Sequence, residues 1–234
     1  MKALAIPLLL AVLFSGCKKD KTQNKGLYLV STITYTDSRG SWTDNFTYDD
    51  QNRISGERSS NSLATYTYAY NNDNTLASVS IMANGALEFI DKFRYTADSV
   101  LVQQYAADGI TPYLNYAFVL NGKQVVRYIG ENNYTIDYTR DSNGNVTTIT
   151  GHSAGITSTE TLQYDDKKSP FADIGLANLH VLFMISDATL GGANNRTKTN
   201  WMTTPYVYQY LDNGLPSGAR TSYGQSIKFE YITK

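Results

Sequence analysis

Apolar and polar residues alternate along most of this chain with a period of two. Tyr66, Tyr68 and Tyr70 share one face of an extended segment, with Thr65, Thr67 and Ala69 on the other. Tyr206, Tyr208 and Tyr210 repeat this against Val207 and Gln209, and Ile227, Phe229 and Tyr231 alternate with Lys228 and Glu230. Successive side chains on a strand point to opposite faces, so the period predicts half-buried β-strands. Polar clusters such as Asn121-Gly122, Asn143-Gly144 and Asp212-Asn213-Gly214 separate the runs. These residues tolerate positive φ and close tight hairpins.

One motif recurs: aromatic, any residue, aromatic, a polar turn, then an apolar strand. Phe46-Thr47-Tyr48-Asp49-Asp50-Gln51-Asn52-Arg53-Ile54 is its clearest copy. The second aromatic of each copy stands at 48, 70, 95, 118, 138, 164 and 210, in steps of 22, 25, 23, 20, 26 and 46, and Tyr231 comes 21 residues later. The long step is twice 23, as if one copy were replaced by something else. Such a period accommodates two strands of ~6–8 residues and two turns. The expected fold is therefore all-β: an antiparallel up-and-down meander of Tyr-rich hairpins that closes into a barrel or part-barrel. Stacked tyrosines from neighbouring strands would pack as a ladder.

The interruption lies between Tyr164 and Tyr206. Lys167-Lys168-Ser169-Pro170-Phe171 reads as a turn, and Asp173 could cap a helix running from Ile174 towards Ile185. One short helix is expected near 174–185, although Leu179 to Ile185 would also fit a buried strand.

The N-terminus has another pattern. Lys2 precedes an apolar run from Ala3 to Phe14, twelve residues, too short to span a bilayer as a helix. Phe14-Ser15-Gly16-Cys17 closes it and resembles the bacterial lipobox, with Phe14 where Leu is usual. The resemblance implies that the Cys17 thiol receives diacylglycerol, that cleavage falls between Gly16 and Cys17, and that the new amine is acylated. Two or more acyl chains hold a protein stably at a bilayer. Residues 1–16 thus read as a signal peptide, 17–26 as a polar tether and 27–234 as one domain. Cys17 is the sole cysteine, so no intrachain disulfide forms. The start Cys17-Lys18-Lys19-Asp20 is similar to that of many Bacteroidetes lipoproteins. The expected address is the outer membrane, on its periplasmic or its surface face.

Composition narrows the field further. The 234 residues include 19 Tyr, 8 Phe and 2 Trp, with net charge −1, or −2 once Lys2 leaves with the signal. A near-neutral chain lacks the basic footprint of a nucleic-acid binder. His152 and His180 are the only histidines, too few for a transition-metal site. A triad assembled from Ser153, His152 and an Asp lacks any nucleophile-elbow pattern. Asp49-Asp50 and Asp165-Asp166 stand where strands enter turns, and strand neighbours point apart. No cofactor motif is present; Gly191-Gly192 has no strand–glycine–helix context.

The repeat resembles the YD repeat of Rhs and teneurin shells, Tyr-x-Tyr-Asp-x-x-Gly-Arg-Leu, best at 46–54. The whole mature chain more closely resembles a family of Bacteroidetes lipoproteins of unknown function with a porin-like β fold. The residues that carry this are Tyr164 to Phe171, Asn194-Asn195, and Tyr208-Gln209-Tyr210 with Asn213-Gly214-Leu215-Pro216. It implies a fold and an address and brings no activity. Three roles stay open: a non-enzymatic binding or scaffold protein of the envelope; a glycan binder stacking sugars on Trp42, Trp201 or Tyr113; and a hydrolase with dispersed carboxylates. The partners expected are the membrane, through Cys17, and a polysaccharide or another envelope protein.

Overall fold

A computed structural model of the chain describes residues 26–171, 192–202, 204–221 and 223–234. The signal peptide, nearly all of the tether and the helix expected near 174–185 lie outside the described residues. The described residues form sixteen strands. The first eight are β1 (Tyr28–Asp37), β2 (Gly40–Tyr48), β3 (Ile54–Ser59), β4 (Ala64–Tyr70), β5 (Leu76–Ala83), β6 (Ala86–Tyr95), β7 (Ser99–Ala106) and β8 (Pro112–Asn121). Then come β9 (Gln124–Ile129), β10 (Thr135–Arg140), β11 (Val146–Ser153), β12 (Ile156–Lys168), β13 (Asn194–Thr199), β14 (Val207–Tyr210), β15 (Pro216–Arg220) and β16 (Ser226–Thr233).

All sixteen belong to one antiparallel sheet, in which β1 pairs with both β2 and β16. The sheet order runs from β13 back to β1, then through β16 and β15 to β14. Its two free edges come back together. The Tyr206 amide donates to the Thr197 carbonyl at 2.8 Å, and the Tyr208 hydroxyl to the Arg196 carbonyl at 3.0 Å. The meander is a nearly closed barrel, which leaves few edge groups for another chain to pair with.

Register assigns the faces. Ile33 lies opposite Asp44, Phe46 opposite Glu57, Tyr68 opposite Val79, and Val100 opposite Phe118. This face holds the core: Val30, Ile33, Phe46, Ile54, Tyr68, Leu76, Val79 and Phe229 form one buried cluster, and Val100, Val102, Phe118 and Val125 another. The opposite face carries Thr34, Thr43, Thr67, Ser80, Lys92 and Gln103 at paired positions, none of them buried. A sixteen-stranded barrel is wide enough to hold a channel. Here aromatic rings point inward, and the chain beyond β12 contributes to the filling. Phe171 is buried edge-on against Phe46, ring centroids 5.6 Å apart, and Ser169 is buried beside it.

The tyrosines do more than pack. Between β1 and β2 the backbone ladder stops at Thr32 and Asn45, and the Tyr48 hydroxyl then donates to the Val30 carbonyl at 2.6 Å. Between β3 and β4 it stops at Gly56 and Thr67, and Tyr70 donates to the Ile54 carbonyl at 2.6 Å. Tyr164 to Val146 and Tyr231 to Pro216, both 2.8 Å, repeat the arrangement across β11–β12 and β15–β16. In each pair the tyrosine stands three residues beyond the last paired residue. The carbonyl stands two residues before that residue's partner. Tyr95 occupies the same place between β5 and β6, where its oxygen accepts from the Leu76 amide at 3.1 Å. The β7–β8 pair has Phe118, and there the ladder continues to Ser99 and Val119. At β9–β10 the equivalent residue is Arg140, whose Nε donates to the Val125 carbonyl at 3.3 Å.

Four turns that follow even-numbered strands share one design. Asp49, Asn71, Asp141 and Leu211 each donate a backbone N–H four residues ahead. Each accepts one from three ahead, where Asn52, Asn74, Gly144 and Gly214 hold positive φ. Asn and Gly tolerate that conformation best. Arg53 joins neighbouring hairpins, with its guanidinium 4.2 Å over the Tyr70 ring and Nη1 donating to Asn74 Oδ1 at 2.8 Å.

Two substitutions separate the roles of these rings. Tyr70→Phe removes one hydroxyl bridge and should lower unfolding free energy by about 1 kcal/mol. Tyr68→Ala empties a buried site and should cost roughly 2–4 kcal/mol. Denaturant midpoints measure both, and an unchanged midpoint for Tyr68→Ala would mean that the inward packing is wrong.

Candidate functional site

The two ends of the barrel differ in chemistry. The Leu27 and Lys234 backbones bond each other at 3.0 and 3.3 Å, so chain entry and exit share one end, here termed the tether end. The Asp- and Asn-rich turns at 49–53, 71–75 and 141–145 also lie there, because they come after even-numbered strands. The opposite, far end is formed by the turns after odd-numbered strands. Of the exposed large apolar side chains among the described residues, only Leu211 and Ile232 sit at the tether end. The rest lie at or next to far-end turns.

All three stacking candidates lie toward the far end, on separate hairpins. Tyr113, near the start of β8, is 61% exposed and tilts against Phe89, ring centroids 4.8 Å apart. Trp201, in the turn after β13, is 69% exposed. Trp42, near the start of β2, is half-buried and stacked on Tyr35 at 5.5 Å. It also lines a cleft of 280 Å³ with Arg39, Ser41, Ser60 and Asn61.

A larger groove of 580 Å³ crosses the outer wall over β6–β9, lined in part by Lys92, Arg94, Gln103, Tyr105, Asn115 and Ile129. Among the described residues no carboxylate lines it. The Lys92 ammonium sits 4.4 Å over the Tyr105 ring and donates to the Gly109 carbonyl at 3.2 Å. The Tyr105 hydroxyl donates to Gln103 Oε1 at 2.6 Å. An aromatic ring, two amides and two cations side by side suit a hydroxyl-rich or anionic ligand.

His152 lies on β11, near its end. Its Nε2 is 3.3 Å from Asp137 Oδ2, and its Nδ1 is 3.2 Å from the Thr157 hydroxyl. Arg127 grips Asp137 from the other side with two hydrogen bonds, which hold this carboxyl below the ordinary Asp range. The chain Thr157–His152–Asp137–Arg127 has the residue types of a triad. It lies on an open outer wall and its carboxylate is already neutralised by Arg127, so it reads as a surface ion-pair network. Among the described residues no group of three or more His, Cys, Asp or Glu could hold a metal ion.

The most perturbed acids face inward. Glu57 is 6% exposed, and burial first, then the charge of Asp44, pushes its carboxyl up to about 8; the Tyr68 hydroxyl 3.3 Å away offsets part of this. Asp91 is buried and pushed up to about 6 by desolvation, against hydrogen bonds from Gln104 at 2.9 Å and Tyr116 at 3.2 Å. Neither acid stands out in the sequence as a candidate. Their one signal is phase: Asp91 occupies an inward position among Phe89, Phe93 and Tyr95.

No protein-family model matches the chain, and no curated protein matches it. Solved structures are similar to it, among them two porin-like proteins. One is a porin-like protein from Bacteroides uniformis, 14% identical, covering 88% of this chain and 96% of that one, with a TM-score of 0.37. The other is a porin-like protein from Bacteroides vulgatus, 11% identical, covering 87% and 98%, with a TM-score of 0.41.

The inward acids make stability depend on pH. Glu57 keeps its proton in the folded barrel to about pH 8, whereas its ordinary value is 4.5. The unfolded chain therefore loses that proton first, and stability falls as pH rises between these values. Glu57→Gln should leave stability nearly unchanged at low pH and raise it by about 1–4 kcal/mol near neutral pH. Thermal melts at several pH values check this, and a variant equally or less stable at neutral pH would refute it.

Proposed function

We propose that the chain is a lipoprotein of the bacterial cell envelope. Acyl chains on Cys17 hold it to the outer membrane, and its water-facing barrel binds or organises partners without transforming them. The observation that carries this reading is the orientation of the faces. A barrel that spans a membrane turns an apolar band outward, with aromatics at its rims and a polar interior. Here aromatic and aliphatic side chains point inward, while Thr, Ser, Lys, Arg and Gln occupy outward positions at mid-strand. A wall of that kind leaves membrane attachment to the N-terminus, where the lone cysteine falls in a lipobox-like setting.

Glycan binding is the favoured form of this role. Its support is the outer groove, with Tyr105, Gln103, Asn115 and two cations, together with the Trp42 cleft. A two-carboxylate hydrolase has less support. It needs two carboxyl groups facing each other across a cleft that substrate can enter, and Glu57, the acid most shifted upward, is buried in the barrel.

Cys17→Ser should abolish incorporation of labelled fatty acid and leave the protein unprocessed or soluble. A cleaved mutant that still partitions into detergent would overturn lipidation. The chain from Lys18 onward should release no product from a panel of polysaccharides, esters and peptides. Turnover abolished by removing one carboxylate would overturn the non-enzymatic role.

A further inference from the structure

We propose that the far rim of the barrel inserts its apolar turn tips into the surface of a lipid bilayer. This second membrane contact extends the lipid-anchored reading above. The observation is a distribution. Leu63, Ile110, Tyr134, Ile156, Trp201 and Tyr223 each lie in, or next to, a different far-end turn, and their exposures run from 40 to 78%. Only the β1–β2 and β5–β6 turns are missing from that set. The neighbouring turn residues are small and uncharged: Ser60, Asn61 and Ser62; Asn132 and Asn133; Ala154 and Gly155; Gly224 and Gln225. Within the turns themselves charges are few: Arg39 is paired with Asp37 at 2.6 Å, Asp108 accepts the amides of Ile110 and Thr111, and Glu131 lies in a third turn, while Arg58, Glu88, Lys198 and Arg220 stand at the adjoining strand ends.

The spacing of the tips selects the occupant. A protein partner is held by a contiguous buried centre in which a few anchors fill pockets. Here the tips are distributed around a ring, one to a hairpin, with polar residues between them. A bilayer surface is continuous and takes separated tips without matching their shape. Tyr and Trp suit the headgroup level, and Leu and Ile the acyl boundary just below it. The polar outer wall stops insertion at that depth.

The tether permits this orientation. The tether and the rim belong to opposite ends of the barrel. A ten-residue strand such as β6 measures ~33 Å along its length, and barrel tilt lowers its height. The nine residue-to-residue steps from Cys17 to Gly26 extend to about 30–32 Å. The acylated cysteine and the far rim can therefore occupy one bilayer, with the tether alongside the wall. Acylation holds the rim at high local concentration, so weak insertion of each tip is enough to dock it. The acid-rich tether end then faces away from anionic headgroups.

The test uses the chain from Lys18 onward, which retains every described strand and lacks the acylation site. It is floated with phosphatidylcholine vesicles, with and without phosphatidylglycerol. Binding to the neutral vesicles should survive high salt, because it is apolar. In a Trp42→Phe background, Trp201 emission should shift to the blue on vesicle addition. The triple variant Ile110→Ser, Ile156→Ser, Trp201→Ser should bind at least about tenfold more weakly with an unchanged melting temperature, since all three side chains are exposed. Absence of vesicle binding by the parent chain overturns the proposal, as does equal binding by the triple variant. Binding confined to anionic vesicles and lost in salt also overturns it. So does self-association in solution that the triple variant abolishes, which would make the rim an interface between copies. Lipidation at Cys17 is read by fatty-acid incorporation in the full chain, so either idea can fail without the other.

Discussion

The barrel depends on a bridge between a phenol hydroxyl and the backbone of the adjacent strand. Toward the tether end the β1–β2, β3–β4, β5–β6, β11–β12 and β15–β16 ladders stop short, and a tyrosine spans each gap. A backbone group left unpaired there would cost about as much as a lost hydrogen bond. Tyrosine is suited to the position because its ring buries a large apolar area while its hydroxyl stays polar. Desolvation holds the hydroxyls of Tyr48 and Tyr70 above the ordinary phenol range, so they remain protonated donors. The exceptions support the same account. Where the residue is Phe118, the backbone continues the ladder itself. Where Arg140 takes the place, a guanidinium donates instead, and its Nη1 also reaches the Gly144 carbonyl at 2.8 Å.

This constraint fixes which way the faces point. A tyrosine that reaches the neighbouring strand from within commits its alternating partners to the same side, so the aromatic face becomes the inside. Threonine and serine take the outward positions, where β-branched or small polar side chains suit an exposed pleat. The same phase carries Glu57 and Asp91 inward, where each must be desolvated. Tyr68, Gln104 and Tyr116 offset part of that cost by hydrogen bonding. Much of the barrel's stability is thus apolar burial opposed by the desolvation of two inward acids.

The hairpin period and the alternation are legible in the sequence because both are properties of single strands. The anchor aromatics lie on even-numbered strands from β2 to β16. Two anchors differ from the bridging residue by two positions: the bridge at β9–β10 belongs to Arg140, with Tyr138 packed beside it, and between β14 and β13 it is Tyr208, not Tyr210, that donates to the Arg196 carbonyl. An aromatic pattern cannot reveal a guanidinium that takes over a phenol's hydrogen bond. The inward acids are legible only in phase, and adjacent pairs such as Asp49-Asp50 are the more conspicuous carboxylates. Asp49 does serve its turn, accepting the amides of Gln51 and Arg53 at 2.9 Å. The groove over β6–β9 has no local signal. Lys92, Gln103 and Asn115 are far apart in sequence and align only through strand register. The same holds for Arg127, Asp137 and His152, which meet across three strands.

A meander sorts its turns into two sets, and these sets can evolve separately. Turns after even-numbered strands adjoin the bridging residues, so they are committed to the Asp/Asn geometry that ends each splayed ladder. Turns after odd-numbered strands carry no such duty, since the ladders there run close to the turn, as at Asp37–Gly40 and Ala83–Ala86. Freed from a structural role, they expose Ile110, Ile156 and Trp201 to water at exposures of 69 to 78%. An exposed apolar side chain adds little to folding, because burial is the source of its stabilisation. A single one is ordinary on a protein surface. Apolar tips on most of the far-end turns, opposite a tether end that is nearly free of them, are accounted for by something that covers the rim.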